Sequence, residues 1–363
     1  MEITRPTVLE IDLRNFRHNV EQIQNYVGKN VKLMPVIKAA GYGTYINKCL
    51  EIINEFDIVA VAVVDEAIEL RNLGYKNEIF VLNQSYKDEI EKIIKYDITV
   101  GVSSLGFLEE LGKQSEKVKI HIEIGTGMGR TGINPARVAE YIGEIKKFPN
   151  IEIEGMYTHL SSADIDFEYT EKQLHSFKRA VDTAKEILGD LKYIHCSASN
   201  GILNFKDSYY NLVRPGIILY GYDSCEGASQ KLNLKPICKL KSKITYLKEV
   251  EENTSIGYSR SYVTNRKTKV ATIPVGYADG LKRALSNKGE VVIRGKKVPI
   301  IGSVCMDSFM ADVTDIEDVT AGDDVYIWDN ENITVDEIAK ICGTINYEII
   351  CTVSYRVPRV FIK

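Results

Sequence analysis

Five polar side chains stand where apolar, β-branched runs end. Lys38 closes VKLMPVIK (31–38), and Arg130 follows VKIHIEIG (118–125) within GTGMGRTG. His159 closes IEIEGMYTH (151–159), Ser199 ends YIHCSAS (193–199), and Arg214 lies in LVRPGIILYG (212–221). After Lys38 the chain continues AAGYG, a turn of small residues that a solvated lysine does not need. An amine desolvated in such a place can be neutral near pH 7 and act as nucleophile or base. Singly, each residue has an ordinary explanation: a snorkelling lysine, a satisfied core histidine, an ion-paired arginine. Together they share one place only if the runs are strands of one parallel barrel, whose active-site groups gather at the strands' C-terminal ends.

The elements that would position them alternate along residues 10–221. Further short runs are IVAVAVV (58–64), IFVLN (79–83) and ITVGVSS (98–104). Between the runs lie helix-like segments such as 15–28, 64–74, 87–96 and 169–189. In the last, Leu174, Phe177, Ala180, Val181, Ala184 and Ile187 recur at helical spacing. Nearly continuous apolar strands imply parallel β buried on both faces. Eight of them suit a (β/α)8 barrel, with an open doubly wound sheet as competitor. From about residue 230 the texture becomes short strands and turns, with one helix-like piece at 334–343. The fold class read here is α/β: an N-terminal (β/α)8 TIM-like barrel over 10–229 and a mainly-β domain over 230–363. The strand-like start around 1–9 can pair with the second domain as well as with the first.

Composition narrows the partners. Net charge is -4 with no long basic block, which argues against nucleic acid. No window approaches the roughly 20 apolar residues of a membrane span, and the N-terminus lacks a signal-peptide pattern. Seven cysteines at irregular spacing read as reduced, cytoplasmic thiols and not as disulfides or a metal site. No glycine-rich dinucleotide or P-loop motif follows a strand.

The motifs IKAAGYG, THLSSAD, VRPGIILYG, GYSRSYVT, IPVGYADGLKR, GSVCMDSFM and SYRVPR, in this order, resemble the signatures of the alanine racemase family across essentially the whole chain. The resemblance implies a pyridoxal 5'-phosphate enzyme that works as a homodimer on a small amino acid. Lys38 would form the Schiff base with the cofactor aldehyde. Tyr258, from the partner subunit, would be the second base, and His159 would contact its network. Arg214 would face the pyridine nitrogen. An always-charged guanidinium disfavours protonation there, which favours racemisation over transamination. Tyr42, Ser199, Gly216, Ile217 and Tyr355 match the phosphate contacts. Arg130 and Met306 match the substrate-carboxylate contacts, and Tyr277 and Asp164 match the entry corridor.

The chain also departs from the family pattern. Glu123 stands where many members carry a lysine, and a carboxylate there would hold Arg130 through charge-assisted hydrogen bonds. Gly125, Ala198, Asn200-Gly201 and Thr44-Tyr45 are further departures. The expected activity is interconversion of L- and D-alanine by two bases, supplying D-alanine for peptidoglycan. The alternatives are a serine or broad-specificity racemase, a decarboxylase of the same architecture and a non-catalytic cofactor carrier.

Overall fold

The computed structural model of the chain describes residues 4–363. They form two compact units: residues 17–41 with 45–234, and residues 4–16 with 42–44 and 235–363.

The first unit is built on eight parallel strands. These are β1 (Lys32–Leu33), β2 (Ile58–Val61), β3 (Glu78–Val81), β4 (Thr99–Val102), β5 (Val118–Glu123), β6 (Ile151–Tyr157), β7 (Tyr193–His195) and β8 (Leu212–Val213). Strands β2 to β7 form one continuous sheet, and β1 pairs with β8. Single bridges from Val36 to Ala60 and from Ala198 to Arg214 join these two pieces and close the ring. Every residue of β2 and β4 is buried, as continuous apolar runs require when helices cover the outside.

Local signals set the helix limits. The helix Val64–Leu73 ends at Gly74, whose φ of 108° only glycine adopts cheaply. The helix Phe167–Leu188 starts at Asp166, whose carboxylate accepts the Tyr169 N–H. Its buried face includes Phe177, Ala180, Val181 and Ala184, but Ile187 is exposed and Gln173 is buried in preference to Leu174. The reason is polar: the Gln173 amide donates to the His159 carbonyl at 3.3 Å and to Thr126 Oγ1 at 3.2 Å. Its oxygen accepts the Ser161 N–H at 3.0 Å.

The segment after β1 takes an uncommon form. Ala39, Ala40 and Gly41 have φ of 53°, 52° and 61°, and Tyr42 follows at 54°, so Lys38–Tyr42 is a left-handed helical turn. The Gly41 N–H closes it on the Ile37 carbonyl at 3.0 Å. L-residues in this conformation cost roughly 1–2 kcal/mol each, a strain that Ala39, Ala40 and Tyr42 all carry. A Cβ at position 41 would meet Ile46 Cγ2 at 2.7 Å, so glycine is required there.

The second unit is a nine-stranded, mostly antiparallel sheet. Its order is Tyr246–Val250, Thr268–Ile273, Phe309–Asp312, Lys296–Ile301, Glu290–Ile293, Asp324–Trp328, Cys238–Lys243, Val8–Asp12 and Arg359–Ile362. Val8–Asp12 lies between Cys238–Lys243, antiparallel, and Arg359–Ile362, parallel. A capping box between Thr334 and Glu337 starts the helix Val335–Cys342, and Gly343 ends it.

Asp279, fully buried, staples this unit. It takes the Arg5 guanidinium at 2.6 and 2.7 Å, Arg356 Nε at 3.0 Å and the Gly276 N–H at 2.9 Å. Asp279→Ala is expected to cost about 2 kcal/mol in urea unfolding. That is below the usual penalty for breaking a buried pair because both arginines still reach water.

Candidate active site

At the C-terminal ends of the barrel strands two of the sequence-derived residues, Arg214 and His159, come within reach of each other. Arg214, just past β8, is 2% exposed. Its Nη1 donates to His195 Nδ1 at 2.7 Å, and its Nη2 donates to the carbonyls of Thr158 at 2.8 Å and Cys196 at 3.1 Å. His159 Nδ1 lies 3.4 Å from the same Nη2. Among the described residues no carboxylate lies within ion-pair distance of Arg214. A charged guanidinium is thus held entirely by neutral acceptors.

That arrangement fixes two tautomers. An arginine can only donate, so His195 Nδ1 accepts and its proton sits on Nε2. Nε2 then donates to His121 Nδ1, 2.9 Å away, which leaves the His121 proton on Nε2. That last atom is buried and has no hydrogen-bond partner among the described residues. Tyr157 stacks on His195 with centroids 5.2 Å apart, and Phe80 stacks on His121 at 4.5 Å. Burial holds both imidazoles neutral: His121 is pushed down to about 3, and His195 lies well below its ordinary value. His159 is also pushed down to about 3, by burial first and then by Arg214, Arg130 and Lys38.

Ser199 and Gly216 meet directly, the Gly216 N–H donating to Ser199 Oγ at 3.2 Å. Ile217, next in the chain, is fully buried. Lys38, partly buried, ends the β1 run at the left-handed turn. Arg130 is exposed on a loop closed by a bridge between Ile124 and Ile133. A Cβ on Gly132 would come within 2.4 Å of the Gly125 nitrogen, so the loop's two legs touch backbone to backbone.

The expected hold of Glu123 on Arg130 is not what the structure has. Glu123 is buried and accepts the Thr131 hydroxyl at 2.6 Å, while no ion pair reaches Arg130 among the described residues. The carboxylate fixes the neighbour of Arg130, not the guanidinium. It also helps burial to push the Tyr157 phenol well up.

The remaining residues lie in the strand-rich unit. Tyr42 is buried, with its ring 6.1 Å from that of Tyr347, and burial raises its phenol well above the ordinary value. Next to it, the Gly43 carbonyl accepts from Arg359 at 2.7 and 3.0 Å. The same guanidinium also holds the carbonyls of Val353, Ser354 and Val357, which flank Tyr355. Tyr277 and Met306 are brought together: the Tyr277 N–H donates to Cys305 and the Ala278 N–H to Met306, both at 3.0 Å. A Cβ on Gly276 would sit 2.2 Å from the Met306 carbonyl oxygen. Tyr258 follows Gly257, whose φ is 75°. Tyr258, Met306, Tyr277 and Tyr355 are 71%, 53%, 44% and 85% exposed.

Sequence reasoning missed His195, His121, Gln173, Asp279 and Arg359. Asp279 and Arg359 sit inside the quoted motifs IPVGYADGLKR and SYRVPR. The histidines end or interrupt strand runs, but nothing in their spacing marks them as a pair.

Two family models match the chain: the alanine racemase N-terminal domain over residues 11–224 and the C-terminal domain over 237–361. An alanine racemase of Halothermothrix orenii is 42% identical over 367 residues, covering 98% of this chain and 97% of that protein. One of Methanococcus maripaludis is 40% identical over 374 residues, covering 99% and 100%. Among solved structures, alanine racemase of Bacillus anthracis with bound L-Ala-P superposes with a TM-score of 0.93 at 34% identity, covering 100% of this chain and 96% of that one.

Neutral buried histidines make stability depend on pH with a definite sign. Their folded pKa lies below the unfolded value of about 6.5, so the unfolded chain binds more protons between that value and about 3. Stability is fully present above pH 6.5 and is lost as pH falls through this window, by up to about 1.4 kcal/mol per pH unit for each such histidine. Urea unfolding at pH 7.0, 6.0 and 5.0 is expected to show this fall. His121→Asn should flatten it by about one proton, and an unchanged slope would contradict the neutral assignment.

Proposed function

The chain belongs to the alanine racemase family, pyridoxal 5'-phosphate-dependent isomerases of L- and D-alanine, and we propose how its residues divide that work. Lys38 holds the cofactor and moves the α-proton on one face of the substrate, and Tyr258 of a second copy moves it on the other. A single base would return the proton to the side it left. Two bases on opposite faces are the least the inversion needs. When bound, the cofactor supplies the electron sink that makes the α-proton acidic.

The observation that carries this reading is the buried Arg214 held only by neutral acceptors. Lys38 and Arg130 add to the depression of His159 that burial begins, and with Arg214 they make a donor set that fits a ligand bearing phosphate and carboxylate groups. Arg214 cannot accept a proton and carries a fixed charge, so it would keep an aromatic nitrogen of the cofactor unprotonated. His159, neutral, accepts from Arg214 and leaves the site's proton traffic to Lys38 and Tyr258. Ser199, Gly216, Ile217, Tyr42 and Tyr355 would hold the phosphate, and Arg130, Met306 and Tyr277 would receive the substrate.

The second copy is inferred from exposure and chemistry. A tyrosine that transfers protons must be shielded from bulk water, yet Tyr258 and Met306 are largely exposed in the single chain. A homodimer whose partners each lend Tyr258 and Met306 would cover them. Cofactor binding is assigned to 10–229 and the second base to 230–363. The free thiols among the described residues fit the cytoplasm, and D-alanine for peptidoglycan is the use we assign.

In deuterated water with L-alanine and pyridoxal phosphate, Lys38→Ala is expected to abolish both racemisation and α-deuterium uptake. Tyr258→Phe should slow racemisation by about a hundredfold or more while the bound cofactor keeps its visible absorbance. Loss of that absorbance in Tyr258→Phe would mean that its role is structural. Mixing the two inactive variants after subunit exchange should restore about one quarter of wild-type activity, because half of the sites in half of the dimers are then intact. No recovery would place both bases on one chain.

A further inference from the structure

The left-handed turn after Lys38 needs an anchor, and the geometry points to Glu66. We propose that Glu66 is a positioning residue for Lys38, an inference that rests on Lys38 being the cofactor lysine. Its Oε1 accepts the N–H of Ala39, the residue after Lys38, at 2.5 Å. Its Oε2 accepts the N–H of Ala62, just past β2, at 2.8 Å. One carboxylate, 27 residues along the chain from Ala39, thus ties the first amide of the turn to the end of the neighbouring strand. Charge-assisted bonds to backbone N–H groups are the strong kind. Ala39 and Ala40 both hold a conformation that alanine disfavours. Without the carboxylate they would drift toward right-handed or extended backbone and carry the Lys38 amine away from the barrel end.

A bland alternative exists. Glu66 lies in the first turn of the helix Val64–Leu73, where any acidic side chain favours the helix dipole. The two readings part on glycine. Glycine enters the left-handed region without a steric penalty, so Ala39→Gly with Ala40→Gly removes the strain that Glu66 offsets. It does nothing for a helix terminus at 64.

The experiment titrates cofactor-free protein with pyridoxal phosphate, reading the visible absorbance of the bound cofactor alongside the melting temperature. Glu66→Ala is expected to weaken binding at least tenfold, the equivalent of about 1.4 kcal/mol. Glu66→Gln should fall between, because one oxygen still accepts while its amide N–H₂ faces the other backbone N–H. Adding Ala39→Gly and Ala40→Gly to Glu66→Ala should recover at least threefold of the affinity without a matching gain in melting temperature. A lower melting temperature with wild-type affinity, or no recovery from the glycines, overturns the proposal. If Glu66→Ala does not fold, Glu66→Gln with and without the glycines makes the same comparison. Lys38→Ala is the control. If its absorbance matches wild type, the Lys38 reading itself fails; if its absorbance is lost while Glu66→Ala binds normally, only the Glu66 proposal does.

Discussion

A buried guanidinium with no carboxylate beside it is the constraint around which the barrel end is arranged. Taking a charge out of water costs several kcal/mol unless hydrogen bonds replace the lost hydration. Arg214 has the carbonyls of Thr158 and Cys196 and the imidazoles of His195 and His159 for that purpose. Each acceptor must be neutral and correctly oriented, which dictates the tautomer of His195 and, through it, that of His121. The aromatic stacks of Tyr157 and Phe80 keep those rings in place. With no carboxylate in ion-pair reach, the guanidinium leaves this end of the barrel with a positive field, which a carboxylate in the place of His195 would cancel.

The backbone on either side of Lys38 is held closely. The β1 run is pinned by bonds that alternate between its two flanking segments: Met34 N–H to Val213, Val36 N–H to Pro215 and Ile37 N–H to Ala60. The chain then turns left-handed at once. A right-handed helix would carry the following residues off in another direction, and the left-handed course is strained at Ala39, Ala40 and Tyr42. Gln173 does comparable work for His159, holding its carbonyl from a helix that otherwise packs through apolar side chains.

In the strand-rich unit the same logic acts on loops. Asp279 and Arg359 are polar residues whose partners are nearly all backbone groups or distant side chains. Between them they fix the segments that carry Tyr277 and Tyr355. Loops that carry exposed aromatic side chains need such internal ties, because no hydrophobic packing holds the tips.

Much of this was legible in the chain. The alternation of apolar runs and amphipathic segments pointed to parallel strands buried on both faces, a barrel in preference to an open doubly wound sheet, followed by a strand-rich domain. The helix-like segments 64–74 and 334–343 were legible as such, and the structure ends them at Gly74 and Gly343. The motifs carried Lys38, His159, Arg214 and Tyr258. Tertiary structure alone decided the partners. Glu123 took Thr131 and not Arg130: its carboxylate is buried, where the Thr131 hydroxyl reaches it, while Arg130 is exposed. Asp279 found Arg5, 274 residues away, and His195 found His121, 74 away. Periodicity and capping are local and can be read along the chain. Which polar group meets which across a closed barrel or a nine-stranded sheet depends on register and closure, and those exist only once the strands have paired.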